Sequence, residues 1–360
     1  MSEPRRLGGR FTLLQLAGEG ASSEVYRALD ETTGRTVAVK CALARTPKLL
    51  GDPTAERFRR ERRLLESISS PHVVGLVGHG TSEDGQAFLA VDWLEGTDLA
   101  RHHKDRPLDG RQIVEVLGQV ASGLDAIHRL GFVHRDVKPA NVFVADTPDG
   151  QLRATVIDLG IAWSEGEAAL THEGLIIGTP SYMSPEQILR DGPLTGASDQ
   201  FSLGVLAYEL VTGVRPYVGD DAVAVLAKIA LTDPPRLRDA APDVPGDLDA
   251  VVARAMAKEP ADRYASMAEL AEALAAATPF EPTIAEIRGD ADTEVISSSA
   301  VVGSTTLATG ERRVVTAVFM RFAGSQEASG ARAAFERAVR ARGGVPHALL
   351  SLAHVGVFAG

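Results

Sequence analysis

The chain has 360 residues, 44% hydrophobic and 24% charged, the balance of a folded globular protein of about two domains. Its formal net charge of -11 works against general binding to nucleic acid or to an anionic membrane surface, because either would be repelled. A single cysteine, Cys41, excludes an internal disulfide framework. No run of about 18 apolar residues marks a membrane span and "MSEPRRLGGR" has no signal-peptide core, so a cytoplasmic protein is expected.

In chain order, "FTLLQLAGEG", "SEVYRALD" and "TVAVKCAL" read as short strands separated by Gly, Asp and Thr turn signals. The first pair brings Gly18, Gly20 and then Ser23 to a tight bend, where backbone N–H groups can approach an anion without a Cβ in the way. A plain structural turn reads equally well from those residues. In "VAVK", Ala38 and Lys40 share one face of a strand: Ala38 is small enough to admit a flat ring, and Lys40 lies beyond it. "TAERFRRERRLLESI" carries Phe58, Leu64, Leu65 and Ile68 at helical spacing, and Glu61 on this helix is the natural counter-ion for Lys40. "HVVGLVGHG" and "AFLAVDWL" are two further strands, ending at a hinge over Asp92 to Leu94.

Beyond "EGTDL" the pattern turns helical. "DGRQIVEVLGQVASGLDAIHRLG" is amphipathic and stops at Gly131. Helices also follow at "ASDQFSLGVLAYELVTG", "DAVAVLAKIAL", "LDAVVARAMAK" and "SMAELAEALAAA". A small β-rich lobe therefore precedes a larger helical one. Residues 278–310, rich in Ser, Thr, Gly and acid, read as a flexible linker. Residues 311–360 open with "ERRVVTAVFMRFAG" and give a partial β-α-β pattern.

The chemistry concentrates in "GFVHRDVKPANVFV", an apolar stretch that nevertheless holds His134, Arg135, Asp136, Lys138 and Asn141. Burying such groups is costly unless each has a partner or a task. Asp136 suits the proton of a hydroxyl, Lys138 a transferred phosphate, and the Asn141 amide oxygen a metal. "TVIDLG" brings Asp158 out of an apolar strand as a second oxygen ligand for Mg²⁺. A run of polar loop residues at two strand ends would explain any one of these, but not all four spacings together.

With the Gly-rich bend, "VAVK", "HRDVKPAN", "DLG" and "SPE" in that order, the chain resembles a bacterial eukaryotic-type (Hanks-type) Ser/Thr protein kinase over residues 11–277. The resemblance implies an α+β, bilobal protein kinase fold, with an N-lobe over about 11–91 and a C-lobe over about 95–277. It implies that ATP phosphates lie under Ala17 to Val25, including Gly18, Gly20 and Ser23, and that Lys40 contacts them while paired with Glu61. Val91 becomes the gatekeeper, the backbone of Asp92 and Leu94 reads the adenine edge, and Val25, Ala38 and Phe143 sandwich its faces. Asp136 accepts the substrate hydroxyl proton and Lys138 steadies the γ-phosphate. Asn141 and Asp158 hold Mg²⁺, with Mn²⁺ as an alternative, and Thr179 contacts Asp136 and Lys138. Asp199 braces the catalytic loop, and Arg263 pairs with Glu186. Leu159 replaces the usual Phe and Ser23 the usual third Gly, and neither change removes a charge or a ligand.

The same resemblance implies protein substrates with Ser or Thr hydroxyls, autophosphorylation, and a second copy of the chain as a partner. It places an autophosphorylated Thr171 in the segment after Asp158, where it would neutralise Arg135. A nucleotide-binding pseudokinase scaffold is the alternative, and the intact Lys40, Asp136, Asn141 and Asp158 argue against it. The last fifty or so residues resemble the start of a class III nucleotidyl cyclase homology domain. Arg321 and Leu352 stand there in place of the metal-binding aspartates, so this element is expected to be non-catalytic.

Overall fold

The structure is a computed structural model describing residues 5–20, 23–43, 53–159, 180–189, 192–219, 221–280, 315–321, 345–349 and 353–359. The chain divides into two compact units, one of residues 1–165, 195–216 and 234–287, the other of 166–194, 217–233 and 288–360.

The first unit begins with an antiparallel sheet of β1 (Arg6–Leu7), β2 (Phe11–Glu19), β3 (Ser23–Asp30), β4 (Arg35–Ala42), β5 (Leu76–Thr81) and β6 (Ala87–Asp92). Its strand order is β1-β2-β3-β4-β6-β5. The alternation in β4 decides which face is which. Val37, Val39 and Cys41 are buried in a core with Leu7, Phe11, Leu13, Ala28, Phe88 and Ala90, whereas Ala38 and Lys40 face the other way. Phe11 and Phe88 meet edge to face in this core, with ring centroids 5.9 Å apart.

Cys41 is the buried free thiol of that core, and burial pushes its pKa up to about 11. At pH 8 only about one thiol in a thousand would then be thiolate, the reactive form. An aromatic disulfide reagent should therefore leave the folded protein unlabelled and titrate one thiol in denaturant. Rapid labelling of the folded chain would contradict the packing.

Helix α1 (Pro53–Ser67) buries Phe58, Leu64 and Leu65, and Glu61 shares that buried stripe at i+3 from Phe58. Next come β7 (Thr97–Asp98) and α2 (Leu99–Asp105), two short elements that the hydropathy pattern did not announce. Helix α3 (Gly110–Arg129) begins with a reciprocal cap between Asp109 and Gln112. It buries Ile113, Val116, Leu117, Val120, Leu124 and Ile127, each worth roughly 1.5–3 kcal/mol. The hairpin of β8 (Val142–Asp146) and β9 (Leu152–Val156) packs on it. Helix α5 (Gly196–Thr212) is buried on nearly every side, against α3, α8 (Gly246–Ala255) and α9 (Met267–Ala275). The short α7 (Leu237–Ala240) completes the unit. A β-rich lobe followed by a helical one is the α+β organisation expected of the sequence.

Separately, the second unit holds α4 (Pro185–Leu189) in contact with α6 (Ala222–Leu231). It also holds an antiparallel sheet of β10 (Val315–Arg321), β11 (Val345–Leu349) and β12 (Ala353–Ala359), in the order β10-β12-β11. The helix expected between β10 and β11 lies outside the described residues, as does Leu352. No helix among the described residues is long and apolar enough to cross a membrane.

Three buried histidines make stability pH-dependent. Burial lowers the pKa of His102, His103 and His134, with the neighbouring Arg106 adding to the effect on His102. The unfolded chain protonates its histidines near 6.5 while the folded rings resist, so their contribution is present above about pH 6.5 and lost as pH falls through the folded values. Urea midpoints should be level from pH 8 to 7 and fall from 6.5 towards 5. A level profile over that range would exclude buried neutral rings.

Candidate functional site

The face of the sheet opposite its core collects the small and cationic residues picked out by sequence. Gly18 pairs with Val25, Val25 with Lys40, Ala38 with Val91, and Lys40 with Leu89, and directly opposed residues share a face. Val25, Ala38, Lys40 and Val91 are all half-buried, as is Phe143 on β8, while Ala17, Gly18 and Gly20 are exposed. The Gly20 N–H closes the bend on the Ser23 carbonyl at 2.8 Å. A Cβ added at Gly18 would meet nothing within 4 Å, so no packing among the described residues demands a glycine there. Space left above the sheet is what an approaching ligand needs.

Lys40 Nζ lies 3.1 and 3.2 Å from the two Glu61 oxygens and 2.8 Å from Asp158 Oδ1. Burial works against the ammonium, but the Asp158 and Glu61 carboxylates outweigh it and raise its pKa, so Lys40 stays charged. Burial raises the pKa of Glu61, with Lys40 opposing. The neighbouring Lys40 holds Asp158 below the usual carboxylate range, although half of that side chain (51%) is open to solvent. Asp158 sits at φ 49°, a left-handed turn that lifts its carboxylate out of the line of β9.

Between α3 and β8 the chain runs from His134 through a short 3-10 turn, Pro139–Asn141. Two donors converge on the Asp136 carboxylate: Lys138 Nζ at 3.1 and 2.9 Å, and Asn141 Nδ2 at 2.8 Å. The Asn141 amide also donates to the Asp136 carbonyl at 2.8 Å. The Asn141 carbonyl in turn accepts from the Ile157 N–H at 2.9 Å, joining this loop to the strand end that carries Asp158.

Asp199, fully buried in the first turn of α5, holds the loop from below. Its Oδ2 accepts from the His134 N–H at 2.8 Å and pairs with His128 Nε2 at 2.7 Å, while Oδ1 accepts from the Arg135 N–H at 2.8 Å. Burial pushes its pKa up, but these bonds win and leave it below the ordinary carboxylate value. Arg135 takes φ 69°, a conformation that costs a non-glycine residue free energy and needs such anchoring. The buried Arg263 donates to the carbonyls of Ala257, Lys258 and Ala197 at 2.8, 3.0 and 2.7 Å. Glu186, in α4, is also buried. Thr171 and Thr179 lie outside the described residues.

Asp158 and Asn141 offer a carboxylate and an amide oxygen, the hard donors a small divalent cation takes. Among the described residues no group of three or more His, Cys, Asp or Glu side chains could hold a metal. Two oxygens fit a cation that completes its shell from water and ligand phosphates. Such a cation would also compete with Lys40 for Asp158. Where β6 leaves the sheet, the Asp92 N–H is spent on the Gly75 carbonyl at 2.9 Å. Sequence reading had not singled out Arg27, whose guanidinium lies 5.5 Å from the ring centroid of Trp93, just beyond β6. The only sequence signal was that Arg27 shares the alternation of Val25.

The protein kinase domain family matches residues 11–276. The chain is 38% identical over 266 residues to the serine/threonine-protein kinase PknL of Mycobacterium bovis, covering 73% of this chain and 64% of that protein. It is 39% identical over 265 residues to PknH of Mycobacterium tuberculosis, covering 73% and 41%. This chain therefore spans less than two thirds of the length of these curated relatives. Among solved structures, the Mycobacterium tuberculosis PknI kinase domain superposes with a TM-score of 0.58 at 28% identity, covering 76% of this chain and 98% of that one.

Proposed function

The chain belongs to the protein kinase domain family, and from that premise we propose that it transfers the γ-phosphate of ATP to Ser and Thr hydroxyls of proteins, its own chain included. The observation that carries this reading is the convergence of Lys138 and Asn141 on Asp136, beside a Lys40 shared by Glu61 and Asp158. That arrangement orients one carboxylate towards an incoming hydroxyl while two cations face the phosphates.

In this mechanism the acceptor hydroxyl donates to the Asp136 carboxylate, which takes its proton as the oxygen attacks the γ-phosphorus and ADP leaves. Lys138 offsets charge on the transferred group, and Lys40 orients the α- and β-phosphates. Asp158 and Asn141 would hold Mg²⁺ or Mn²⁺, which when bound neutralises charge on the phosphate oxygens. Fixed charges need no rearrangement as the reaction proceeds, and that is the main catalytic resource for this chemistry. The reading includes adenine held between Val25, Ala38 and Phe143 against Asp92 and Leu94. It also includes a Thr179 contact to Asp136 and Lys138, and a phosphorylated Thr171 that neutralises Arg135. We assign the activity to residues 11–277, in a cytoplasmic setting, with 278–310 a linker and 311–360 a non-catalytic cyclase-like element.

The experiment is incubation of the purified chain with γ-labelled Mg-ATP and a basic protein acceptor. Acid-stable, base-labile label on Ser and Thr is the expected result. Release of inorganic phosphate alone, or no turnover despite nucleotide binding, would overturn the reading in favour of a scaffold.

A further inference from the structure

The hinge after β6 is a strap of Trp93, Leu94 and Glu95 between two fixed points. At one end the Asp92 N–H is bonded to the Gly75 carbonyl at 2.9 Å. At the other, Gly96 takes φ 137° and lies so close to the Val144 carbonyl that a Cβ there would collide with it. Between these points, the Arg27 side chain reaches the strap from β3. Arg27 is opposite Ala38 on the face of the sheet away from its core, and Ala38 is opposite Val91. Its guanidinium stands 5.5 Å from the centroid of the Trp93 ring, within cation–π range. The indole N–H of Trp93 in turn donates to Glu95 Oε1 at 3.1 Å, so the ring is held on its face and at its edge.

We propose that Arg27 is a positioning residue for the nucleotide: by holding Trp93 it fixes the Asp92 and Leu94 backbone at the spacing that reads the adenine edge. This rests on the kinase reading above and extends it to a residue outside the phosphate-handling set. The register places Arg27 level with Ala38, the adenine position, and away from Lys40, which is opposite Val25. Its effect therefore falls on the base and is indifferent to the phosphates. A guanidinium that met phosphate directly would instead act on ATP and leave adenosine untouched.

The test is calorimetric titration of the full chain with adenosine and, separately, with Mg-ATP, for the wild type, Arg27→Gln, Arg27→Lys, Trp93→Leu and the Arg27→Gln/Trp93→Leu double variant. Arg27→Gln should weaken both ligands by the same factor, roughly two- to fivefold, the range of an exposed cation–π contact. Arg27→Lys, which keeps a cation over the ring, should recover part of the loss. The double variant should bind no worse than Trp93→Leu. Unchanged adenosine affinity in Arg27→Gln, or a loss confined to ATP, overturns the proposal. So does a loss fully additive with that of Trp93→Leu. A wild type that binds neither ligand would instead remove the kinase reading, and this proposal with it.

Discussion

Asp136→Asn is expected to lower phosphoryl transfer by about 10²–10⁴-fold while leaving Mg-ATP affinity close to wild type. The amide has the carboxylate's shape, and its single oxygen can still accept from Lys138 or Asn141, which now lie 2.9 and 2.8 Å from Oδ2. What it cannot do is take a proton. Its NH₂ group would also face one of the two donors that converge on the carboxylate, which tilts the side chain away from the acceptor hydroxyl. Lys40, Glu61 and Ala38, which the proposal assigns to the nucleotide, lie on β4 and α1, and the Lys40–Glu61 pair does not involve Asp136. Single-turnover transfer of labelled phosphate, beside nucleotide titration, separates the two effects. Wild-type transfer in the variant would mean that the proton leaves by another route. Parallel loss of binding and transfer would mean that the loop itself had moved.

How much of this site could be read from the chain depends on the range of each contact. Glu61 was legible because Lys40 needs a counter-ion and the helix that follows it carries this carboxylate three residues from Phe58 on its apolar stripe. Asp136, Lys138 and Asn141 were legible because six consecutive residues of loop, 136–141, carry them. The second partner of Lys40 was not: Asp158 is 118 positions away, and the bond between them follows from how β4 and β9 are brought together. Nor does any local signal announce that Arg135 adopts a left-handed backbone, whereas Asp158, an aspartate where an apolar strand ends before Gly160, is of a type that tolerates one. Elements α2, α4 and α7, of 7, 5 and 4 residues, are too short for a helical period to emerge. The Arg27–Trp93 stack was invisible for a related reason. Each residue looks like an ordinary surface choice on its own, and only the β3–β4–β6 register makes them neighbours.

Asp199→Asn is expected to destabilise the first unit by about 3 kcal/mol and to reduce transfer even in the fraction that stays folded. The carboxylate is fully buried and every lone pair it uses is matched to a donor: the N–H groups of His134 and Arg135, and His128 Nε2. An asparagine keeps the shape but presents one NH₂ group where a donor already points, so at least one buried N–H loses its acceptor. The charge matters as well. Asp199 lies in the first turn of α5, where the helix N-terminus favours an anion, and its lowered pKa records that the folded state prefers the carboxylate. A group with a depressed folded pKa stabilises above its unfolded value, near pH 4, and loses that contribution as pH falls below it. The variant should therefore lose stability at neutral pH and show a weaker dependence on pH below about 4 than the wild type. Released from Asp199, Arg135 can leave φ 69°, and Asp136, the next residue, moves with it. Urea denaturation at pH 7 and at pH 3.5, with transfer assayed well below the melting temperature, separates the structural loss from the catalytic one. Equal stability of variant and wild type at pH 7 would mean that the loop is held by something other than this carboxylate.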